Sequence, residues 1–268
     1  MGRDHVSYSE LATWKGCSWR HKLKYLDDTP DVKNDASIHT EFGKAVHGAL
    51  ASYLEARVMP DSSVIVENLD KNLTKLGIEV EEQDKPLFHG TVKPILESVS
   101  LFLDSKFSGW EFVASEQLLF ETIEGNDTVS FKGFIDGIIK VPKSSRLKTA
   151  KPDEFEYWII DWKVCGWGWT LDQKTDPVKT LQLVLYKHFW SKRLGVPLNN
   201  IRCGFVLLKR VPGKKARCEL VPVSVGEKSI SKALETLGTM LGSVKKNLFS
   251  KNRNSCRFCE FYNTKYCT

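Results

Sequence analysis

Apolar residues recur at helical spacing in the first part of the chain and at strand spacing from Trp110 onward. Ser7-x-x-Glu10 has capping-box spacing, and Leu11, Trp14, Leu23 and Tyr25 carry apolar groups through the following turns, which predicts an opening helix that contains Cys17. A stripe of Val46, Leu50, Tyr53 and Leu54 predicts a second helix from Glu41 to Arg57, with His47 beside the stripe. Two more helices are expected over Ser63–Leu76 and Val92–Phe107. Beyond them EFVASEQLLFE, TVSFKGFIDGIIKV and EFEYWIIDWKV are rich in β-branched and aromatic residues and predict three consecutive strands. Their turns are Gly125-Asn126 and the segment from Pro142 to Pro152, where Lys143, Arg146, Lys148 and Lys151 form a basic loop. A helix from Asp176-Pro177 to Leu194, strands at IRCGFVLLK and ARCELVPVS, and a last helix from Glu227 to Phe249 complete the pattern. It predicts an α/β (α+β) fold with a mixed central sheet flanked by helices.

One strand carries its charges in an unusual place. In WIIDWKV, Tyr157, Ile159, Asp161 and Lys163 share one face, while Trp158, Ile160, Trp162 and Val164 share the other. The carboxylate and the ammonium are therefore expected to leave the core together. D-x-K also occurs at Asp31/Lys33, Asp104/Lys106 and Asp172/Lys174, but only Asp161/Lys163 follows a hydrophobic strand.

Composition narrows the setting. With 268 residues, 41% of them hydrophobic, the chain can bury a substantial core. No stretch has the apolar length of a membrane span, and MGRDHVSYSE lacks the apolar middle of a signal peptide, so an intracellular, cytoplasmic protein is expected. Lys plus Arg is 39 against 33 Asp plus Glu; a net +6 permits a polyanionic partner without demanding one. The seven cysteines are unevenly placed. Cys165, Cys203 and Cys218 lie in or beside strands and suit small buried hydrophobes, whereas Cys256, Cys259 and Cys267 read C-x2-C-x7-C.

Taken singly, the polar candidates have ordinary explanations. His47 suits a helix flank, Asp136 a turn after Gly133, and Glu116 an exposed strand position. Gln182 and Tyr186 are four apart and share one side of a helix. Their order is distinctive: G-x-x-x-H (Gly43 to His47), G-x-x-D (Gly133 to Asp136), D-x-K (Asp161 to Lys163) and Q-x-x-x-Y (Gln182 to Tyr186). This succession, from Tyr8 to Cys267, resembles the RecB-like exonuclease branch of the PD-(D/E)XK nuclease superfamily. One cysteine before the core, Cys17, and three after it resemble the iron–sulfur subgroup of that branch, which includes AddB-like and CRISPR-associated adaptation nucleases.

The resemblance implies a restriction-endonuclease-like core over 31–226, with helical segments 1–30 and 227–268 joined by a cluster. Cys17, Cys256, Cys259 and Cys267 would hold [4Fe–4S], with Zn²⁺ as the alternative that spacing leaves open. His47, Asp136, Asp161 and the Trp162 carbonyl would bind Mg²⁺ or Mn²⁺, with Glu116 as a further carboxylate. Asp136, Asp161 and Lys163 would be the catalytic set, Lys163 orienting the attacking water and screening phosphate charge. Gln182 and Tyr186 would contact the nucleic acid or hold active-site groups in place. Basic residues in Lys209–Arg217 and Lys245–Arg257 would follow phosphates, and Trp167 and Trp169 would stack on unpaired bases. The implied activity is a metal-dependent DNA exonuclease acting on single strands or duplex ends in recombination, repair or phage DNA metabolism, with a helicase or recombination partner. The alternative is a catalytically inactive nucleic-acid-binding or structural metal-cluster module.

Overall fold

The computed structural model describes residues 4–27, 29, 36–143 and 154–268. Arg146, Lys148 and Lys151 of the expected basic loop lie outside the described residues.

A six-stranded mixed sheet is built from β1 (His5–Ser7), β2 (Glu111–Ile123), β3 (Asn126–Pro142), β4 (Phe155–Cys165), β5 (Ile201–Lys209) and β6 (Cys218–Val223) among the described residues. Its order is β1-β3-β4-β5-β6, with β2 on β3; β1/β3 and β4/β5 are parallel and the other pairs antiparallel.

Helices cover both faces. Helices α3 (Ile38–Ala56), α4 (Ser62–Lys75) and α5 (Lys85–Lys106) pack Phe42, Leu50, Leu69, Ile95 and Leu103 against Ile139, Ile160, Trp162 and Val206. On the other face, α1 (Tyr8–Gly16), α7 (Pro177–Leu194) and α8 (Glu227–Lys245) enclose Phe131, Ile135, Ile159 and Phe205, while the short α6 is Leu171–Thr175. Local signals set the ends. Ser37 caps α3 in a capping box with Thr40, and Asp176 caps α7 just before Pro177, whose missing N–H costs nothing at that position.

Three expectations change. The opening helix is broken, because Cys17 adopts an extended backbone (φ −161°, ψ 111°) between α1 and the one-turn α2 (Ser18–His21), which continues as a π-turn over Lys22–Leu26. The helix expected from Val92 begins at Lys85, where Pro86 suits a first turn, and the last helix stops at Lys245 rather than Phe249. Finally, Asp161 does not leave the core with Lys163. At β4 both sheet faces are covered, so alternation there selects one core or the other rather than core or solvent, and Asp161 is only 1% exposed.

Candidate active site

The site forms where two strands part. β3 and β4 are paired from Pro142↔Phe155 to Gly137↔Ile160 and no further, whereas β4 stays on β5 through Cys165↔Lys209. Asp136 stands at the mouth of the resulting fork. Its Oδ2 accepts a 2.8 Å hydrogen bond from the Trp162 N–H, replacing the strand partner that this N–H has lost. A strand residue turns its N–H and C=O to the same edge, so the Trp162 carbonyl also faces the fork.

Two further elements bring ligand-type groups to Asp136. On α3, His47 places Nδ1 3.4 Å from Asp136 Oδ2. On β2, Glu116 lies opposite Asp136, between the pairs Ser115↔Gly137 and Gln117↔Ile135, and has φ +44°. That left-handed backbone is costly for a residue with a side chain, by on the order of 1 kcal/mol. It breaks the alternation, so that Ser115, bonded to Glu55 of α3, and Glu116 both turn to the α3 side. Ligand atoms of His47, Glu116 and Asp136 all lie within 4.8 Å of one another. Glu116 is an exposed strand glutamate, as its sequence position suggested, and it also stands within reach of His47 and Asp136. Its φ is set by the tertiary fold, and no local sequence signal announces it.

Asp161 belongs to an adjoining arrangement. It stands outside that 4.8 Å trio, with Oδ2 2.6 Å from Lys163 Nζ. Neither Asp161 oxygen has a well-directed hydrogen bond, and burial pushes its pKa up to about 6, with Lys163 opposing and Asp136 reinforcing the shift. Burial works against the charged forms of His47 and Lys163, yet the carboxylates prevail and hold both pKa values above their ordinary ones: Asp136 chiefly for His47, Asp161 chiefly for Lys163. Burial, with Asp136 adding to it, raises Glu116. The pocket thus favours protons wherever no cation compensates its carboxylates.

The helix motif fixes the lysine. Gln182 accepts from Lys163 Nζ at 3.3 Å through Oε1 and donates to the Tyr186 hydroxyl at 3.3 Å through Nε2, with both α7 residues buried. Gly133 has a steric reason to lack a side chain, since a Cβ there would come 2.6 Å from Tyr186 Cε1. Gly43 has none, because a Cβ there would meet nothing within 4 Å. Tyr8, which no motif singled out, donates to the Val178 carbonyl at the start of α7; burial first, then the Asp161 charge, raises its pKa to about 12.

Other candidates are occupied elsewhere. Lys209 is 3% exposed and pairs with Glu219 at 2.6 Å, so it is not available to follow phosphates, while Arg217 commits Nη1 to the carbonyls of Lys209 and Arg210. Trp169 packs on Phe205 in the core; Trp167 is exposed. Cys203 and Cys218 are buried, with pKa values raised to about 12 by that burial, whereas Cys165 is half-buried.

Cys17, Cys256, Cys259 and Cys267 line one cavity at the junction of the two chain ends, together with Arg20, Lys251 and Arg253. None is in a disulfide. The extended backbone at Cys17 leaves its sulfur to accept from the Asn252 N–H at 3.3 Å, and the Gly16 carbonyl accepts from Asn252 and Ser255 side chains. The joint is completed by Arg20 with Glu260 at 2.6 Å and a small core of Leu23, Phe261 and Cys267.

Comparison with known proteins gives matches of two kinds. The sequence profile of the PD-(D/E)XK nuclease superfamily matches residues 5–264. In fold, the chain is similar to the crystal structure of a "putative exonuclease" from Eubacterium rectale, with a TM-score of 0.56 and 13% identity over 97% of this chain and 88% of that one. Among curated proteins nothing matches.

Proposed function

The chain belongs to the PD-(D/E)XK nuclease superfamily, and on that premise we propose that it is a divalent-cation-dependent DNA exonuclease of the RecB-like branch, acting on single strands or duplex ends. The observation that carries this reading is the convergence of His47, Glu116 and Asp136 beside the buried Asp161–Lys163 pair. Two carboxylates and an imidazole suit Mg²⁺ or Mn²⁺, and Asp161, paired with Lys163 through Oδ2 but with Oδ1 buried and without a hydrogen bond, is a further donor beside them. Such a cation supplies charge to stabilise the phosphorane-like transition state and to acidify water.

The protein's own groups do the positioning. Asp136 spends one oxygen on the Trp162 N–H, which fixes the carboxylate plane between the two strands. Lys163 offers an ammonium beside the scissile phosphate, where it neutralises developing charge and orients the incoming water. Gln182, itself held by Tyr186, restricts that ammonium to one direction. The E. rectale protein carries "exonuclease" in its name, which agrees with end-directed cutting.

We further assign the four cysteines to a [4Fe–4S] cluster. Four cysteines lining one cavity, none in a disulfide, suit such a cluster. Lys251 and Arg253 at the cavity offset part of the charge of four thiolates, and a reducing intracellular setting suits free thiols. No helix among the described residues is long and apolar enough to cross a membrane. A role in recombination or repair, beside a helicase that feeds the strand, fits this chemistry.

The test is direct. Purified protein should shorten an end-labelled single-stranded oligonucleotide with Mg²⁺ or Mn²⁺, stop with a chelator, and slow by about 10³-fold or more in Lys163→Ala. Undiminished cutting by that variant defeats the assignment.

A further inference from the structure

One half of the sheet face that bears the candidate site is open among the described residues. From the rung Glu116 opposite Asp136, the next rungs of the β2–β3 ladder are Leu118↔Phe134, Phe120↔Lys132 and Thr122↔Ser130. Residues two apart share a face, so these side chains continue in line from the ligand rung. On the reverse face Leu119, Phe131 and Ile135 are buried under α7, but here Leu118 is 41%, Phe120 46% and Phe134 47% exposed. On β1, His5 adds an imidazole 6.2 Å from the Phe120 ring, held by Asp4 at 2.7 Å. Past Asp136 toward Pro142, the same face is sealed by α3, α4 and α5. The candidate site therefore sits on the border between a covered and an uncovered half of one sheet face.

We propose that this open half is a base-stacking track for a single nucleic-acid strand, with Phe134 and Phe120 receiving successive bases and Lys132 a phosphate. The proposal rests on the nuclease reading above and names the form of its substrate. Three features favour this occupant over another protein surface. The track is continuous with the ligand rung, so a strand lying on it delivers a phosphodiester to His47, Glu116 and Asp136. It sets a cation, Lys132, directly across from Phe120 and one rung from Phe134, and aromatic rings beside a cation hold any base sequence and its backbone. Rungs on one strand face repeat every ~6.8 Å, about twice the 3.4 Å spacing of stacked bases along a duplex strand. The spacing therefore suits splayed, unpaired bases and not a duplex.

The experiment measures fluorescence anisotropy of 5′-fluorescein-labelled (dT)12 in chelator, against a strand of equal length built from abasic sites. Wild type should bind (dT)12 more tightly than the abasic strand. The Phe120→Ala/Phe134→Ala double variant should lose about 10-fold or more in affinity for (dT)12, and little for the abasic strand. Phe→Tyr at both positions should stay within about 2-fold of wild type, and Phe→Leu at both should fall with the alanine variant, because stacking needs a ring. Hydrolysis of bis(p-nitrophenyl) phosphate with Mn²⁺ should be equal in all four proteins, which checks that the site is intact. If wild type fails on this small diester, the nuclease reading falls while anisotropy still decides the track. Equal affinity of wild type for both strands, unchanged (dT)12 binding by the alanine variant, or full retention by the leucine variant overturns the proposal. So does a wild-type dimer in sedimentation that the alanine variant separates, because the face would then be covered by a second copy.

Discussion

The two clusters of chemically active side chains rest on very different supports. His47, Glu116, Asp136, Asp161 and Lys163 project from three strands and a helix clamped between two large apolar layers. The four cysteines depend on a joint between chain ends whose buried apolar members are Leu23, Phe261 and Cys267. Charges in the first cluster can be held close at some cost, since the surrounding layers hold the strands apart whether or not a cation is present. The second has too small a core to do the same, so its order depends on whatever the thiolates bind.

The largest effects should come from exchanging damage between the clusters. Asp136→Asn should reduce DNA cleavage by about 10³-fold and leave iron content, brown colour and thermal midpoint close to wild type. Cys256→Ser should do the reverse for composition: iron and colour fall, and limited proteolysis opens the segment after Lys245 while the sheet resists. Loss of colour in Asp136→Asn, or a protease-resistant end in Cys256→Ser, would break the distinction.

A smaller effect sharpens it through pH. Asp161, Glu116 and His47 all have folded-state pKa values above their unfolded ones. Each therefore binds its proton more tightly when folded, so its contribution is complete below the unfolded pKa and is lost as pH rises through the folded value. For Asp161 that window runs from the ordinary carboxylate range to about 6, and His47 extends it beyond its ordinary value. In cation-free protein the thermal midpoint should decline between pH 4 and 7 on their account. Mn²⁺ at 100-fold over its Kd should restore about 2.7 kcal/mol at pH 7 and flatten the profile. A cation-free midpoint that rises across this range would contradict the pocket electrostatics.

The smallest change tests the packing behind the lysine. Gly133→Ala places a Cβ against the Tyr186 ring, so unfolding free energy should drop by about 1–3 kcal/mol with a modest loss of cleavage. The corresponding change at Gly43, inside α3 where space is open, should instead raise stability by about 0.5–1 kcal/mol and leave cleavage nearly unchanged.

Much of the fold was legible because alternation and helical stripes are local. The long strands, α3, α7 and the order of His47, Asp136, Asp161 and Lys163 all follow from such patterns. Errors arose where a local pattern met a distant partner. Asp161 looked solvent-facing because a period of two cannot reveal that helices cover both faces of the sheet at β4. Lys209 and Arg217 looked like free cations until Glu219 and nearby carbonyls were brought against them. The break at Cys17 is held by Ser250 and Asn252, more than two hundred residues downstream.

By itself, the sequence determined where the long strands and the helices α3 and α7 lie, and that Asp161 and Lys163 point the same way, since backbone geometry imposes those relations within a few residues. Only the tertiary structure decided that β4 leaves β3 at Gly137, that Glu116 adopts φ +44°, and that His47 arrives from α3 to meet them. Those distances are fixed by strand register and by packing between segments far apart in the chain, and no local propensity specifies either.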